Sequence, residues 1–297
     1  MIDPSPLHVD TLGGEAPGRP VVLVHGFGAH NHFWRHWAPK LADERPVHMV
    51  ELMGFGRAAT PAEGDYSPPA QAEHLARWLR ALPGHPPVLI GHSLGGAVVL
   101  LTALRLLDSE ELDRLAGLVV ISGAIYPQSL PPYLSMSRIR GLGELLLLAP
   151  PPHWALRMGL RGIVHDPSTL TRDLVEGYRG PLQSRARRRA ILKAGRQIQP
   201  ELAEKVSRRY SELSLPVLGL WGAEDPVVPP EFAERLEREL PDARSVVLDG
   251  VGHLPPEEVP ERSLAVVRAF LSERENPLPD QRPPHPDPRT QRDPERA

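Results

Sequence analysis

The stretch "PPVLIGHSLGGAVVLLTALRLL", residues 86–107, constrains the fold more tightly than any other part of the chain. Pro87-Val88-Leu89-Ile90 is a short apolar run of the kind a buried parallel strand shows. It passes straight into Gly91-His92-Ser93-Leu94-Gly95, and a glycine-free apolar segment then runs from Ala97 to Leu107, ended by the polar Asp108-Ser109. Strand and helix follow one another with no loop between them, so Ser93 has to sit on a sharp turn. Its flanking glycines let the backbone take a strained geometry and let neighbouring elements come close. Such a G-x-S-x-G turn exposes a serine hydroxyl at the head of a sheet, where a nucleophile is useful. Chemistry there needs a base, an acid and donors for a developing oxyanion.

The surroundings repeat the alternation of strand and helix. "RPVVLVHG" and "PVHMVEL" read as buried strands, "QAEHLARWLRAL" as an amphipathic helix and "AGLVVISG" as a further strand. From residue 216 the pattern resumes with strand "PVLGLWG", helix "PEFAERLEREL", strand "RSVVLDG" and a last helix, "PERSLAVVRAFLSE". The fold class expected is α/β, a mostly parallel twisted sheet with helices on both faces. Residues 126–215 interrupt it. They hold no convincing strand but several helical segments, among them "PHWALRMGL", two Arg- and Glu-rich helices from 181 to 211, and "DPSTLTRDLVEGY" with Asp166 as N-cap and Pro167 at its first position. The organisation expected is a core in two parts, 1–125 and 216–274, with a helical cap at 126–215. Residues 275–297 carry seven prolines and almost no apolar side chain, so a disordered tail is expected there.

Three more segments supply the missing chemistry. "VVLVHGFG" is a strand ending in a His-Gly turn, which can aim the backbone N–H of Phe27 at an oxyanion, with the N–H of Leu94 as second donor. "VLGLWGAEDPVVP" is a strand that delivers Asp225 to a loop at the sheet edge, with Glu224 beside it as the competing carboxylate. "VVLDGVGHLPPEE" is a strand followed by the glycine-flanked His253. A serine hydroxyl is a poor nucleophile until a base takes its proton, and histidine is the side chain with an ordinary pKa near neutrality. His253 would take that proton, and Asp225 would hold the imidazole in the right tautomer.

On these four motifs, in this order, the chain resembles the α/β-hydrolase family over residues 6–272. The resemblance implies a serine hydrolase with the triad Ser93, Asp225 and His253, acting on a small-molecule ester through an acyl-enzyme. The cap would offer Leu134, Trp154, Leu156 and Met158 to an apolar acyl pocket, with Phe27, Phe33 and Leu254 below. Interrupting prolines in the cap favour a bounded pocket and short to medium acyl chains. The same triad also serves C–C bond hydrolases and cofactor-free perhydrolases; Leu254, where C–C hydrolases usually carry tryptophan, weighs against the former. A slow-turnover ligand sensor on the same fold is the alternative from another class. One turn departs from the family's Asp-x-Pro-Gly-x-Gly-x-Ser. Here it reads Glu51-Leu52-Met53-Gly54-Phe55-Gly56-Arg57-Ala58, which keeps the glycines and loses the Asp and Ser.

Other chemistries are disfavoured. The chain has no cysteine, so disulfides, thiolate metal sites and a cysteine nucleophile are excluded. A net charge of −3 leaves no nucleic-acid footprint. His30, His32 and His36 lack a carboxylate at ligand spacing and read as solvated or pocket-lining, so no metal is expected. "GFGRAA" and "GFGAHN" lack the helix or the small residue of a dinucleotide fingerprint, and no cofactor is expected. The basic run Arg185 to Arg189 reads as a solvated helix face, and His92 as structural. The window "GLGELLLLAPPP" is too short and too interrupted to span a bilayer, and the first residues lack the pattern of a signal peptide. A cytoplasmic location is expected.

Overall fold

The computed structural model describes residues 5–131, 134–135, 138–139, 141 and 149–275, so the expected tail, apart from its first residue, lies outside the described residues. Strands β1 (His8–Leu12), β2 (Val21–Val24), β3 (Val47–Glu51), β4 (Val88–His92), β5 (Gly117–Ile121), β6 (Val217–Gly222) and β7 (Ala243–Leu248) form one sheet in the order β1-β3-β2-β4-β5-β6-β7. From β3 to β7 all pairings are parallel. Strands β2, β4, β5 and β6 are buried at every residue, which is why they read as unbroken apolar runs. Alternate side chains still go to opposite faces. Val22, Val24, Leu89 and Val120 join one core, and Val21, Leu23, Ile90 and Val119 the other.

Sequence reading starts the alternation at residue 20 and misses β1. That strand lies at the sheet edge, antiparallel to β3, with His8 opposite Glu51 and Leu12 opposite Val47. Its half-exposed "HVDTL" carries neither a buried apolar run nor a helical period, so pattern alone does not reveal it.

Helices cover both faces. Of α1 (Ala38–Ala42), α2 (Pro68–Ala81) and α3 (Leu94–Asp108), the last two bury Leu75, Leu79, Val99 and Ala103 in the first core, and α1 buries Leu41 in the second. Between β5 and β6 the chain forms α4 (His153–Arg161), α5 (Arg172–Arg179), α6 (Arg185–Gln197) and α7 (Pro200–Ser207), here called the insert. Then α8 (Glu231–Glu239) packs Leu236 into the first core, and α9 (Pro255–Glu258) leads into α10 (Pro260–Glu275), which buries Leu264, Val267 and Phe270 in the second.

The insert corrects two expectations and adds to a third. Asp166 caps only a 3-10 turn, Pro167–Thr169, by accepting from the N–H of Ser168 at 2.8 Å. Leu170 leaves helical geometry, and Thr171 then caps α5 by accepting from the N–H of Leu174 at 3.2 Å. His30 and His32 do line a pocket, together with Arg57, Gly180 and Pro181, and they also fasten the insert to the core. The His30 ring pairs through Nε2 with the carbonyl of Gly177 at 2.8 Å, and the His32 ring lies where a β-carbon on Gly177 would be, 2.2 Å away. The basic run is not a solvated face throughout. Arg187 donates to the carbonyls of Ala58 (2.6 Å) and Phe55 (3.3 Å), and the buried Arg188 donates to those of Leu182 (2.7 Å) and Gln183 (3.0 Å).

The altered turn after β3 has its own hydrogen bonding. Glu51 is 1 % exposed; its carboxylate accepts from the backbone N–H of Arg57 at 2.6 Å and of Asn31 at 3.2 Å. Gly56 is required there, because its φ is +48° and a β-carbon would lie 2.3 Å from the Glu51 carboxyl carbon. Burial alone would raise the Glu51 pKa, but His30 and the two backbone donors outweigh it and hold the group at about 2. The carboxylate therefore stabilises the fold fully above the ordinary glutamate pKa of 4.5, and that contribution is lost as pH falls through about 2. Glu51→Gln turns one acceptor into a donor and should cost about 2–3 kcal/mol in urea unfolding at neutral pH. The same variant should flatten the acid side of the stability profile; an unchanged profile would remove Glu51 from this role.

Candidate active site

Parallel pairing brings four strand ends to one edge of the sheet. The loops after β2, β4, β6 and β7 carry Phe27, Ser93, Asp225 and His253. At the first turn of α3, Ser93 has φ 52° and ψ −114°, a strained backbone for a residue with a side chain. Its N–H donates to the carbonyl of Ile121 at 2.9 Å, and its carbonyl accepts from Gly96 at 3.0 Å and Ala124 at 3.1 Å. The glycines are steric necessities. A β-carbon on Gly91 would lie 2.3 Å from the oxygen of Gly95, and one on Gly95 would lie 2.3 Å from that of Val24. Leu94 opens α3, so its N–H has no acceptor within the helix and lies at the positive end of the helix dipole.

Asp225 and His253 are buried together. The imidazole Nδ1 is 2.9 Å from Oδ2 and 3.1 Å from Oδ1 of Asp225. Oδ1 also accepts from the N–H groups of Val227 (2.8 Å) and Val228 (3.0 Å). Burial would raise the Asp225 pKa; the charge and hydrogen bond of His253 and the two amides overcome it, and the net shift is downward. An ionised Asp225 takes the Nδ1–H and leaves Nε2 as the basic nitrogen. Glu224 is exposed and uses Oε2 to accept from the N–H of Val251 at 2.9 Å.

The peptide of His253 is fixed on both sides. Its N–H donates to the carbonyl of Ile163 in the insert at 2.8 Å. Its carbonyl lies 2.8 Å from Nε2 of His92, whose pKa burial lowers to about 3, so the neutral ring donates there. Phe33 stacks on His92 at 4.5 Å between ring centroids. The Glu258 carboxylate accepts from the N–H groups of His165 (2.7 Å), Gly252 (3.0 Å) and Leu254 (3.0 Å), which ties the insert to the His253 loop. After β2, His25 does similar service. Its Nε2 accepts from the N–H of Leu52 at 3.1 Å and Nδ1 donates to the carbonyl of Gly26 at 2.8 Å; burial lowers its pKa to about 4.

Two cavities meet at Ser93. One, about 830 Å³ of empty space, runs along α3 to the start of α7 and is lined by Leu94, Ala97, Leu101, Leu134, Ile198 and Leu202. The other, about 1000 Å³, is lined by His253, Leu254, Leu156, Leu160, Tyr178 and Ile191. Among the described residues, Ser93 and Phe27 are the two that line both. The expected pocket residues divide accordingly. Leu134 lines the first cavity and Leu254 the second, but Phe33 is buried beneath His92 and reaches neither. Trp154 and Met158 also line neither, since α4 turns Leu156 and Leu160 inward and leaves those two 66 % and 65 % exposed. His92 reads as structural from the sequence and is so here, while the supporting roles of His25 and Glu258 escape sequence reading, because each depends on a carbonyl or amide from a distant segment.

A family model described as "Alpha/beta hydrolase family" matches residues 21–266. Uncharacterized hydrolase YugF of Bacillus subtilis is 30 % identical over 254 residues, 82 % of this chain and 87 % of that protein. A pimeloyl-[acyl-carrier protein] methyl ester esterase of Aeromonas hydrophila is 30 % identical over 257 residues, 86 % of this chain and 96 % of that one. Among solved structures, a thermophilic esterase from Thermogutta terrifontis is similar with a TM-score of 0.74 at 29 % identity, covering 91 % of this chain and 94 % of its own. Fold, strand order and matched length agree: the chain belongs to the alpha/beta hydrolase family.

Proposed function

We propose that this protein hydrolyses carboxylic esters through an acyl-enzyme on Ser93, with a substrate whose two arms lie in the two cavities. One observation supports the reading above all: His253, whose ring pairs with the buried Asp225, lines one cavity together with a strained serine that borders both spaces. The Ser93 oxygen attacks the ester carbonyl while His253 Nε2 takes its proton. The oxyanion forms against the N–H groups of Phe27 and Leu94, donors each worth about 3–4 kcal/mol in such sites. Collapse breaks the acyl–oxygen bond, and His253 returns the proton to the departing alkoxide. Water then attacks the acyl-serine with His253 again as base; as the acyl–Ser93 bond breaks, His253 returns that proton to the Ser93 oxygen and the carboxylic acid leaves. Residues 126–215 act in this scheme as a cap that bounds the acyl arm, for which Leu254 and Leu156 or Leu134 and Leu202 form walls.

Ser93→Ala should abolish turnover and leave the fold intact, since alanine fits the elbow, and a fluorophosphonate should label Ser93 alone. Labelling elsewhere, or activity in the variant, would sink the assignment. Asp225→Asn should lower kcat by about 10⁴ by favouring the wrong imidazole tautomer. Glu224→Gln should leave kcat nearly intact, and a reversed ranking would make Glu224 the catalytic acid. Across an acyl series from acetate to palmitate, kcat/KM should climb by up to about fourfold per methylene and then fall once the cavity is full. A curve still rising at palmitate would refute the bounded pocket.

A further inference from the structure

Helix α4 presents two different faces at helical spacing. Leu156 and Leu160, four residues apart, line the second cavity together with Gly159 and, just past the helix end, Ile163. Trp154, Arg157, Met158 and Arg161 stand at i, i+3, i+4 and i+7 on the opposite side, and all four are exposed. Among the described residues no other large apolar side chain is as exposed as Trp154 and Met158. No carboxylate of the described residues pairs with Arg157 or Arg161, although neighbouring insert arginines such as Arg179 have such partners. An exposed indole and thioether flanked by two guanidinium groups with no carboxylate partner among the described residues form an apolar patch rimmed by positive charge, the pattern of an interaction site.

We propose that this face of α4 docks on an anionic lipid surface, with Trp154 and Met158 in the apolar boundary and Arg157 and Arg161 on the headgroups. The combination of charges and apolar groups selects that occupant. A second copy packed about a two-fold axis would bring the two pairs of guanidinium groups against each other. An anionic bilayer offers negative charge and an apolar layer within a few ångströms of each other, which suits an amphipathic helix lying in the interface. Among the described residues no helix is long and apolar enough to cross a membrane, and the docking is interfacial. The inner face of the same helix lines the cavity at Ser93, and the carbonyl of Ile163 holds the N–H of His253. Docking would thus set the wall of the catalytic cavity against the lipid. This goes beyond the ester-hydrolase reading and is measured without turnover, so either can fail alone.

The full chain should co-sediment with mixed phosphatidylglycerol–phosphatidylcholine vesicles and far less with phosphatidylcholine alone. Trp154 is a built-in reporter, because Trp34, Trp37 and Trp221 are fully buried and Trp78 is half-buried. Its emission should shift to the blue on binding and be quenched by brominated lipid. Trp154→Phe should lose the spectral change yet still sediment. Replacing both arginines, Arg157→Gln with Arg161→Gln, should weaken partitioning about tenfold, as should raised salt. Trp154→Ala with Met158→Ala should act in the same direction, and these positions are exposed enough for the fold to be unaffected. No sedimentation with the anionic vesicles would overturn the proposal. So would sedimentation that neither pair of substitutions weakens, or a lipid-free dimer that the Trp154→Ala, Met158→Ala variant dissociates.

Discussion

A β-carbon on Gly95 would lie 2.3 Å from the carbonyl oxygen of Val24, and one on Gly91 would lie as close to the oxygen of Gly95. The contact between the start of α3 and the ends of β2 and β4 is therefore as tight as a polypeptide allows. Ser93 keeps a strained backbone, worth about 1–3 kcal/mol, because its N–H and carbonyl are already committed to Ile121, Gly96 and Ala124. Ile121 ends β5 and Gly96 lies in α3, buried elements of a sheet with cores on both faces. The packing of the whole domain thus holds one hydroxyl at the junction of two cavities. Substitutions deep in either core should be felt there, since close-packed interiors transmit strain.

His253 is held differently from Ser93. Ser93 owes its place to steric exclusion, whereas His253 owes its place to hydrogen bonds that span the chain. Its backbone carbonyl pairs with His92 on the elbow, its N–H with Ile163 in the insert, and its ring with Asp225. Glu258 accepts from three backbone N–H groups of the insert and the His253 loop. Such a buried network is rigid when every member is satisfied and costly when one is removed. It also means that the insert is more than a cover, since the orientation of His253 depends on a carbonyl of that segment.

Burial sorts the protonation states around this network. His25 and His92 are neutral because ionising them would place an uncompensated charge in the core. Neutral rings can each donate from one nitrogen, and both use that donor on a backbone carbonyl next to the site. Glu51 and Asp225 are ionised for the opposite reason, since backbone amides and a neighbouring imidazole outweigh their burial. Two carboxylates and two imidazoles thus act as fixed supports, and His253, paired through Nδ1 with Asp225, leaves Nε2 outside that pairing.

Local pattern was enough for much of this. Buried parallel strands must be apolar on both faces, so β2, β4, β5 and β6 stand out as runs, and the glycines around Ser93 announce an elbow before any contact is known. Strand ends carrying Ser93, Asp225 and His253 follow from the same reading, because a parallel sheet collects such ends on one edge. What pattern cannot supply is the direction of a side chain on a helix whose two sides are both partly apolar. In α4, Leu156 and Leu160 turn toward Ser93 while Trp154 and Met158 turn to the outside, and only packing decides which pair lines the cavity. The half-exposed strand β1, the burial of Phe33 under His92 and the fastening of α5 by His30 and His32 are of the same kind. Each rests on a partner far away in the chain, and a contact between distant segments leaves no period or spacing in either one. The sequence by itself thus determined the sheet and the order of its chemical groups; the tertiary structure decided which surfaces enclose them.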